Sequence, residues 1–147
     1  MRRGIFMWLL FGLLAAVSAA LIPIFGKLGL QGVDTSAATA LRAIIMAIFL
    51  TGVAVVQGKF ALVSEIIADK KDLLLITLSG VAGALSWLFY FFALKYGDVT
   101  KVAPLDRLSV VFAIILAAVV LGEKVSIWGG IGAAMLGLGA IIMVTLG

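Results

Sequence analysis

The 147-residue chain contains no cysteine, no histidine and only two prolines. Without cysteine it can form neither a disulfide nor a thiolate metal site, and without histidine it lacks the usual general base and the most common metal ligand. Only 12% of its residues are charged. Because the groups left for catalysis are mainly Asp106, Glu123 and hydroxyls, we expect neither an enzyme nor a metal or other cofactor.

Hydrophobic residues, by contrast, make up 65% of the chain. A soluble domain of this composition would expose large apolar patches and aggregate, so the natural solvent of the chain is lipid. The net charge of +4 comes from 11 basic and 7 acidic residues, nearly all between apolar runs. In a membrane protein such an excess indicates orientation rather than nucleic-acid binding.

Five apolar runs are long enough to cross a bilayer, since about 20 helical residues span a hydrocarbon layer of about 30 Å. The first run has 23 uncharged residues, Gly4 to Gly26, which exceeds the ~7–15-residue core of a signal peptide. We therefore interpret it as a retained helix. The sequence predicts an all-α membrane protein with one transmembrane domain over residues 1–147 and helices at about residues 5–25, 36–56, 73–94, 103–121 and 127–146.

Three charged residues, Arg42, Asp106 and Arg107, lie inside these runs. An Asp or Arg at the bilayer centre costs roughly 2.5–3.5 kcal/mol, so each needs a partner or a use. Asp106 is either a proton- or cation-coupling carboxylate or one half of an ion pair with Arg42 or Arg107. The arginines either bind an anionic substrate group or snorkel to headgroups. Arg42 lies about 10 Å inside its helix, which favours an inward role.

Lys27, Trp87 and Tyr90 are further candidates for substrate binding. Trp87 and Tyr90 form either an aromatic wall for an organic substrate or part of the interfacial aromatic belt. Lys27 either lines the entrance to a site or anchors the first helix at the interface.

Other residues are predicted to have structural roles. Pro104 falls in the first turn of the fourth predicted helix, where its missing N–H does little harm. Glu123 is expected to bond the turn before the fifth helix to a neighbouring loop. Gly129, Ala133 and Gly137 recur four apart and allow close packing against a helix of the same chain or of a second copy.

The distribution of basic residues predicts an orientation. With a cytoplasmic N-terminus, the outer loops carry three basic residues and the inner segments carry six, which favours this topology with the C-terminus outside. Insertion in both orientations is the alternative. The outer residues are Lys27, Lys95 and Lys101, and the inner ones are Arg2, Arg3, Lys59, Lys70, Lys71 and Lys124.

The chain resembles the EamA-domain branch of the drug/metabolite transporter superfamily, in particular its short five-helix bacterial and archaeal members. The resemblance covers essentially the whole chain. It is carried by PIFGKLGLQGVD (23–34), ALRA (40–43), SGVAGALSWLFYFFALKYGDVTKVAPLDRLSVVFAIILAAVVLGEK (79–124) and the LGEKVS turn (121–126).

This resemblance implies a carrier whose chain equals one repeat of a larger inverted-repeat transporter. Larger relatives move amino acids, nucleobase compounds, sugar phosphates or amphipathic drugs through two repeats of opposite orientation. The sequence departs from the family at Ser109, where EamA repeats often have a proline before a Val-Phe pair. Helix 1 also lacks the carboxylate that four-helix multidrug relatives use, so cation–proton exchange of that type does not carry over.

We therefore expect an inner-membrane transporter of small organic solutes that works as a homodimer by alternating access. Its partners are a small-molecule substrate, membrane lipid and a second copy, in either parallel or antiparallel arrangement, and no nucleic acid. Substrate is expected between protomers near the midplane, among the first four helices, with the fifth helix supporting the dimer. The alternative is a non-transporting membrane subunit that scaffolds or modulates a larger complex.

Overall fold

The computed structural model describes the backbone of residues 2–147 and the side chains from residue 7 onward. The described residues form helices and turns and contain no strand. Five stretches are long and apolar enough to cross a membrane, which confirms the all-α membrane fold. The helices are α1 (Arg2–Gly29), α2 (Thr35–Val56), α3 (Leu62–Ala68), α4 (Lys70–Tyr96), α5 (Val99–Asp106), α6 (Leu108–Leu116), a π-helical segment (Ala117–Leu121) and α7 (Ile127–Leu146).

Side-chain caps fix where several of these helices begin. The Asp34 carboxylate accepts a hydrogen bond from the Ala37 N–H at 2.8 Å, at the start of α2. The Ser126 hydroxyl accepts one from the Gly129 N–H at 3.0 Å, at the start of α7. Such caps satisfy backbone donors that the first helical turn leaves without a partner. The seven-residue helix α3 lies between α2 and α4 and is too short to span a bilayer.

The fourth span differs from its prediction. It begins at Val99 rather than near residue 103, and it is interrupted at Arg107, which ends α5 and precedes α6. Pro104 is therefore in the second turn of α5, not the first, so its ring and its missing N–H disturb the helix. The Arg107 N–H bonds the Pro104 carbonyl at 3.0 Å, and the Val110 N–H bonds the Arg107 carbonyl at 3.1 Å. Both bonds join residues three apart, so the chain is tightened locally and the helix is broken beside Asp106.

The turn before α7 is closed by backbone atoms. Gly122 has φ +67°, and its N–H and that of Glu123 both donate to the Ala117 carbonyl, the latter at 3.2 Å. Among the described residues of this part of the chain, no hydrogen bond or ion pair makes the predicted link between the Glu123 side chain and a neighbouring loop. The left-handed glycine, rather than the carboxylate, therefore shapes this turn.

The chain divides into two compact units. The first contains α1 up to Lys27 together with Tyr96–Gly147, and here α7 packs against α5 and α6. A Cβ placed on Gly137 would lie 3.7 Å from Val111 and 3.9 Å from Leu108. This end of the predicted small-residue stripe therefore faces a helix of its own chain.

The second unit is Leu28–Lys95 and contains α2, α3 and most of α4. Its most buried side chains are those of Leu30, Thr35, Phe91 and Leu94. Outside these positions, the most apolar 18-residue stretch of α2 and that of α4 contain no buried residue. Their surfaces are suited to contact with lipid or with another protein chain.

Replacing Gly122 by alanine should destabilise the protein by about 1–2 kcal/mol, because a Cβ is strained in the left-handed region. Space is not the cause, since a Cβ there meets no atom within 4 Å. The matched control is Gly130→Ala, which also has open space but lies in α7 and should be neutral or stabilising. Reversible unfolding in mixed detergent micelles measures both variants, and equal stability would contradict the assignment.

Candidate functional site

Arg42 and Trp87 form the best-defined contact between a charged and an aromatic side chain in the second unit. Arg42 lies seven residues after the start of α2, and Trp87 lies on α4. The guanidinium carbon is 3.7 Å from the centroid of the Trp87 ring and 5.2 Å from that of Phe91. A cation over an aromatic face is stabilised by about 2 kcal/mol or more when water is excluded. The stack thus explains how α2 carries a charge at this depth.

The stacked geometry leaves the edge of the guanidinium for other ligands. The five N–H donors of arginine lie in the plane of the group, and the guanidinium carbon of Arg42 lies 3.7 Å from the centroid of the Trp87 ring. No carboxylate among the described residues of the second unit forms an ion pair with Arg42. A planar, oriented guanidinium of this kind matches a carboxylate or phosphate through two parallel hydrogen bonds.

Aromatic rings extend this surface along α4. Trp87 meets Tyr90 edge-to-face, with centroids 5.8 Å apart, and Phe91 at 5.9 Å. Tyr90 and Phe91 are 6.2 Å apart. Their spacing on one helix places the three rings side by side, because residues three and four apart share a face. The three rings therefore form a continuous aromatic cluster beside Arg42.

Two threonines continue the polar face of α2 toward its N-terminus. Thr35 and Thr39 precede Arg42 by seven and three residues, so all three share a side of the helix. The Thr39 hydroxyl donates to the Thr35 carbonyl at 2.7 Å. The Thr35 side chain is fully buried, and its hydroxyl has no hydrogen-bond partner among the described residues. Unsatisfied buried hydroxyls are uncommon and costly.

The remaining predicted site residues, Lys27, Asp106 and Arg107, belong to the first unit. The Lys27 ammonium donates to the Gly97 carbonyl at 2.7 Å, so it joins the end of α1 to the turn before α5. Asp106 is half-buried and Arg107 is exposed. Although they are adjacent, they form no ion pair with each other, and the described residues of this unit supply no other ionic partner for either side chain.

Arg107 also lines a groove of about 430 Å³ between α5 and α7. Ala103 and Pro104 contribute from α5, and Met135, Gly139 and Met143 contribute from α7. Thioether and methyl groups make this surface apolar and adaptable. The break in the helix at Arg107 places one cation against that surface.

Sequence reasoning did not single out Phe91 or Thr35 as part of a site. Phe91 follows Trp87 by four residues, so helical spacing carried a signal for it, but the aromatic run from 87 to 92 gave no reason to prefer one ring. Nothing in the sequence indicated that Thr35 is buried, because a threonine after a capping residue such as Asp34 is common at a helix start.

No solved structure matches the chain. A Sinorhizobium protein described as "Uncharacterized transporter in cobO 3'region" is 36% identical over 136 residues, which are 92% of this chain and 95% of that protein. The model of the EamA-like transporter family matches residues 6–145. Together with five membrane-spanning stretches, these matches establish a multi-pass membrane transporter, and the chain belongs to the EamA-like transporter family.

Proposed function

We propose that this transporter carries small organic solutes that bear an anionic group, and that Arg42 binds that group. The observation that carries the proposal is the contact of Arg42 with the Trp87 ring at 3.7 Å, which stabilises the guanidinium in a position where it has no carboxylate partner within the second unit. Trp87 and Tyr90 supply an apolar wall for the organic part of the solute. Binding sites commonly combine such a wall with a few oriented polar groups.

We further propose that the working form is a homodimer in the inner membrane that operates by alternating access. The support is that the spans of a single chain bury few residues. The most apolar 18-residue stretches of α2, of α4 and of the α5–α6 segment contain no buried residue. On α7, the exposed Ile127 and Leu138 lie outside the groove that Met135 and Gly139 line, and we assign their face to the second copy. A five-helix unit paired with an inverted copy reproduces the architecture of inverted-repeat carriers.

Lys27 and Asp106 have different proposed roles. Because the Lys27 ammonium already binds the Gly97 carbonyl, we assign it to holding the outer end of the first unit. Asp106 is half-buried beside the interruption of the fourth span, and its carboxylate is the proposed proton-coupling group. Intramembrane carboxylates beside broken helices are suited to bind and release a proton.

Arg42→Ala should abolish binding of organic anions. The purified protein is screened by thermal shift against aromatic and aliphatic carboxylates, sugar phosphates and the matched neutral amides or sugars. Anions should stabilise the wild type, and loss of a charge-assisted bidentate contact should weaken them by roughly 10–100-fold. Arg42→Lys keeps the charge without the planar fork and should be intermediate, while Lys59→Ala, at an exposed position, is the control.

The stabilising anion is then tested by counterflow in proteoliposomes, where wild-type flux in Arg42→Ala would contradict the substrate contact. A protein stabilised only by neutral or cationic solutes would contradict the anionic class. Stabilisation by no solute, with recovery of one stoichiometric protein partner, would favour the non-transporting subunit.

Asp106→Asn should remove the dependence of uptake on a pH gradient while counterflow persists, since asparagine retains the shape of aspartate without a titratable proton. The measurement compares uptake by proteoliposomes with and without an imposed gradient. Asp98→Asn, at an exposed residue before the same span, is the matched control. Identical pH dependence in Asp106→Asn and the wild type would exclude coupling through this carboxylate.

The orientation is expected to place the N-terminus inside. Because the chain has no cysteine, single cysteines at the exposed positions Gln31 and Ala68 report the two sides without changing the charge bias. In intact cells an impermeant thiol reagent should label Gln31→Cys, and Ala68→Cys should react only after permeabilisation. Substantial labelling of both variants would show dual insertion and an antiparallel dimer, and the reverse pattern would contradict the assignment.

A further inference from the structure

The groove between α5 and α7 shares no residue with the Arg42 site and differs from it in chemistry. Arg107 is the only charged residue among the described residues that line it. The other lining residues are alanine, proline, glycine, leucine and methionine. Met135 is 68% exposed and Met143 is 49% exposed, so the groove opens along the outer surface of α7 rather than being enclosed.

One cation beside an apolar surface suits an amphiphilic ligand, which has both a charged group and a hydrocarbon chain. A site for a compact polar solute needs several placed polar groups, and this groove has one cation and a long apolar wall. A guanidinium suits a phosphate or carboxylate, and the wall suits a hydrocarbon chain. Gly139 lines the groove without a side chain, and a Cβ there would meet no atom within 4 Å, so the space beside it is open.

The position of Arg107 favours a lipid as the source of the anion. The residue lies eight positions after Val99, the first residue of its span, so its backbone is about 12 Å along the helix from that end. An arginine there extends toward the headgroup layer. The neighbouring carboxylate of Asp106 does not neutralise it, because the two form no ion pair. Phospholipids surround the membrane-spanning segments of a protein, and each supplies both a phosphate and hydrocarbon chains.

We propose that this groove binds one anionic phospholipid, with its phosphate on Arg107 and an acyl chain along the surface formed by Met135, Gly139 and Met143. The proposal goes beyond transport and does not depend on it. The site holds a resident lipid whose headgroup neutralises the cation at the helix break.

Native mass spectrometry of the delipidated full-length protein tests the site. The probes are dioleoyl phosphatidylglycerol, dioleoyl phosphatidylcholine and glycerol 3-phosphate, which offers the anion without acyl chains. Each wild-type chain should bind one phosphatidylglycerol more tightly than phosphatidylcholine, and glycerol 3-phosphate should not bind. Equal binding of glycerol 3-phosphate and phosphatidylglycerol would overturn the proposal in favour of a site for soluble anions.

Two variants separate charge from shape. Arg107→Gln should weaken phosphatidylglycerol by about 10-fold and remove its preference over phosphatidylcholine, since a charge-assisted contact is lost. Arg107→Lys should retain part of that preference. Gly139→Leu should fill the groove and weaken both lipids.

The matched controls are Lys101→Gln, a second exposed cation on α5, and Gly132→Leu, a second open glycine on α7 outside the groove. Both should bind phosphatidylglycerol like the wild type. All substitutions lie at exposed positions except that of Gly139, which is half-buried although a Cβ there would meet no atom within 4 Å. The unfolding temperature of the Gly139→Leu variant checks its folding. Wild-type lipid binding in both Arg107→Gln and a folded Gly139→Leu would overturn the proposal.

Discussion

A cation in hydrocarbon must be neutralised or stabilised, and this requirement organises the polar chemistry of the chain. In the second unit, Arg42 meets it by stacking on Trp87, with Phe91 nearby. The aromatic face stabilises the charge without using the in-plane N–H donors. The same contact therefore joins α2 to α4 and stabilises a charge inside the second span. Removing either Arg42 or Trp87 would affect both the helix contact and the stability of the charge.

In the first unit, the interruption of the fourth span serves a related need. Pro104 cannot donate to the helix ladder, and the chain tightens into bonds between residues three apart at Arg107. The interruption lies at Arg107, next to Asp106, so both charged residues of this span are at the irregular segment. Small residues on α7 then allow close packing, as Gly137 does against Val111 and Leu108. Irregular backbone within a membrane is tolerated where it borders protein or a ligand site.

The sequence predicted what depends on composition and local chemistry. Long apolar runs predicted the number of spans, which the structure confirms. The sequence did not predict the break at Arg107, because Pro104 was assigned to a first turn and α5 starts earlier at Val99. The sequence named Arg42, Trp87 and Tyr90 as candidates. It could not predict that Arg42 contacts Trp87, because which helix faces meet depends on tertiary packing. The unpaired Thr35 hydroxyl and the groove beside Gly139 depend on it too.

The two arginines illustrate how one charge can support transient or permanent binding. In the proposed cycle, an anion that leaves Arg42 would leave the guanidinium over the Trp87 ring, where the charge keeps part of its stabilisation. A ligand on that edge can therefore be released at a moderate cost, as a transport cycle requires. Arg107 lines an apolar groove and has neither an aromatic stack nor an ionic partner among the described residues of its unit, so loss of the proposed lipid would leave its charge without that counter-ion. That asymmetry favours a solute that exchanges at Arg42 and a lipid that stays at Arg107.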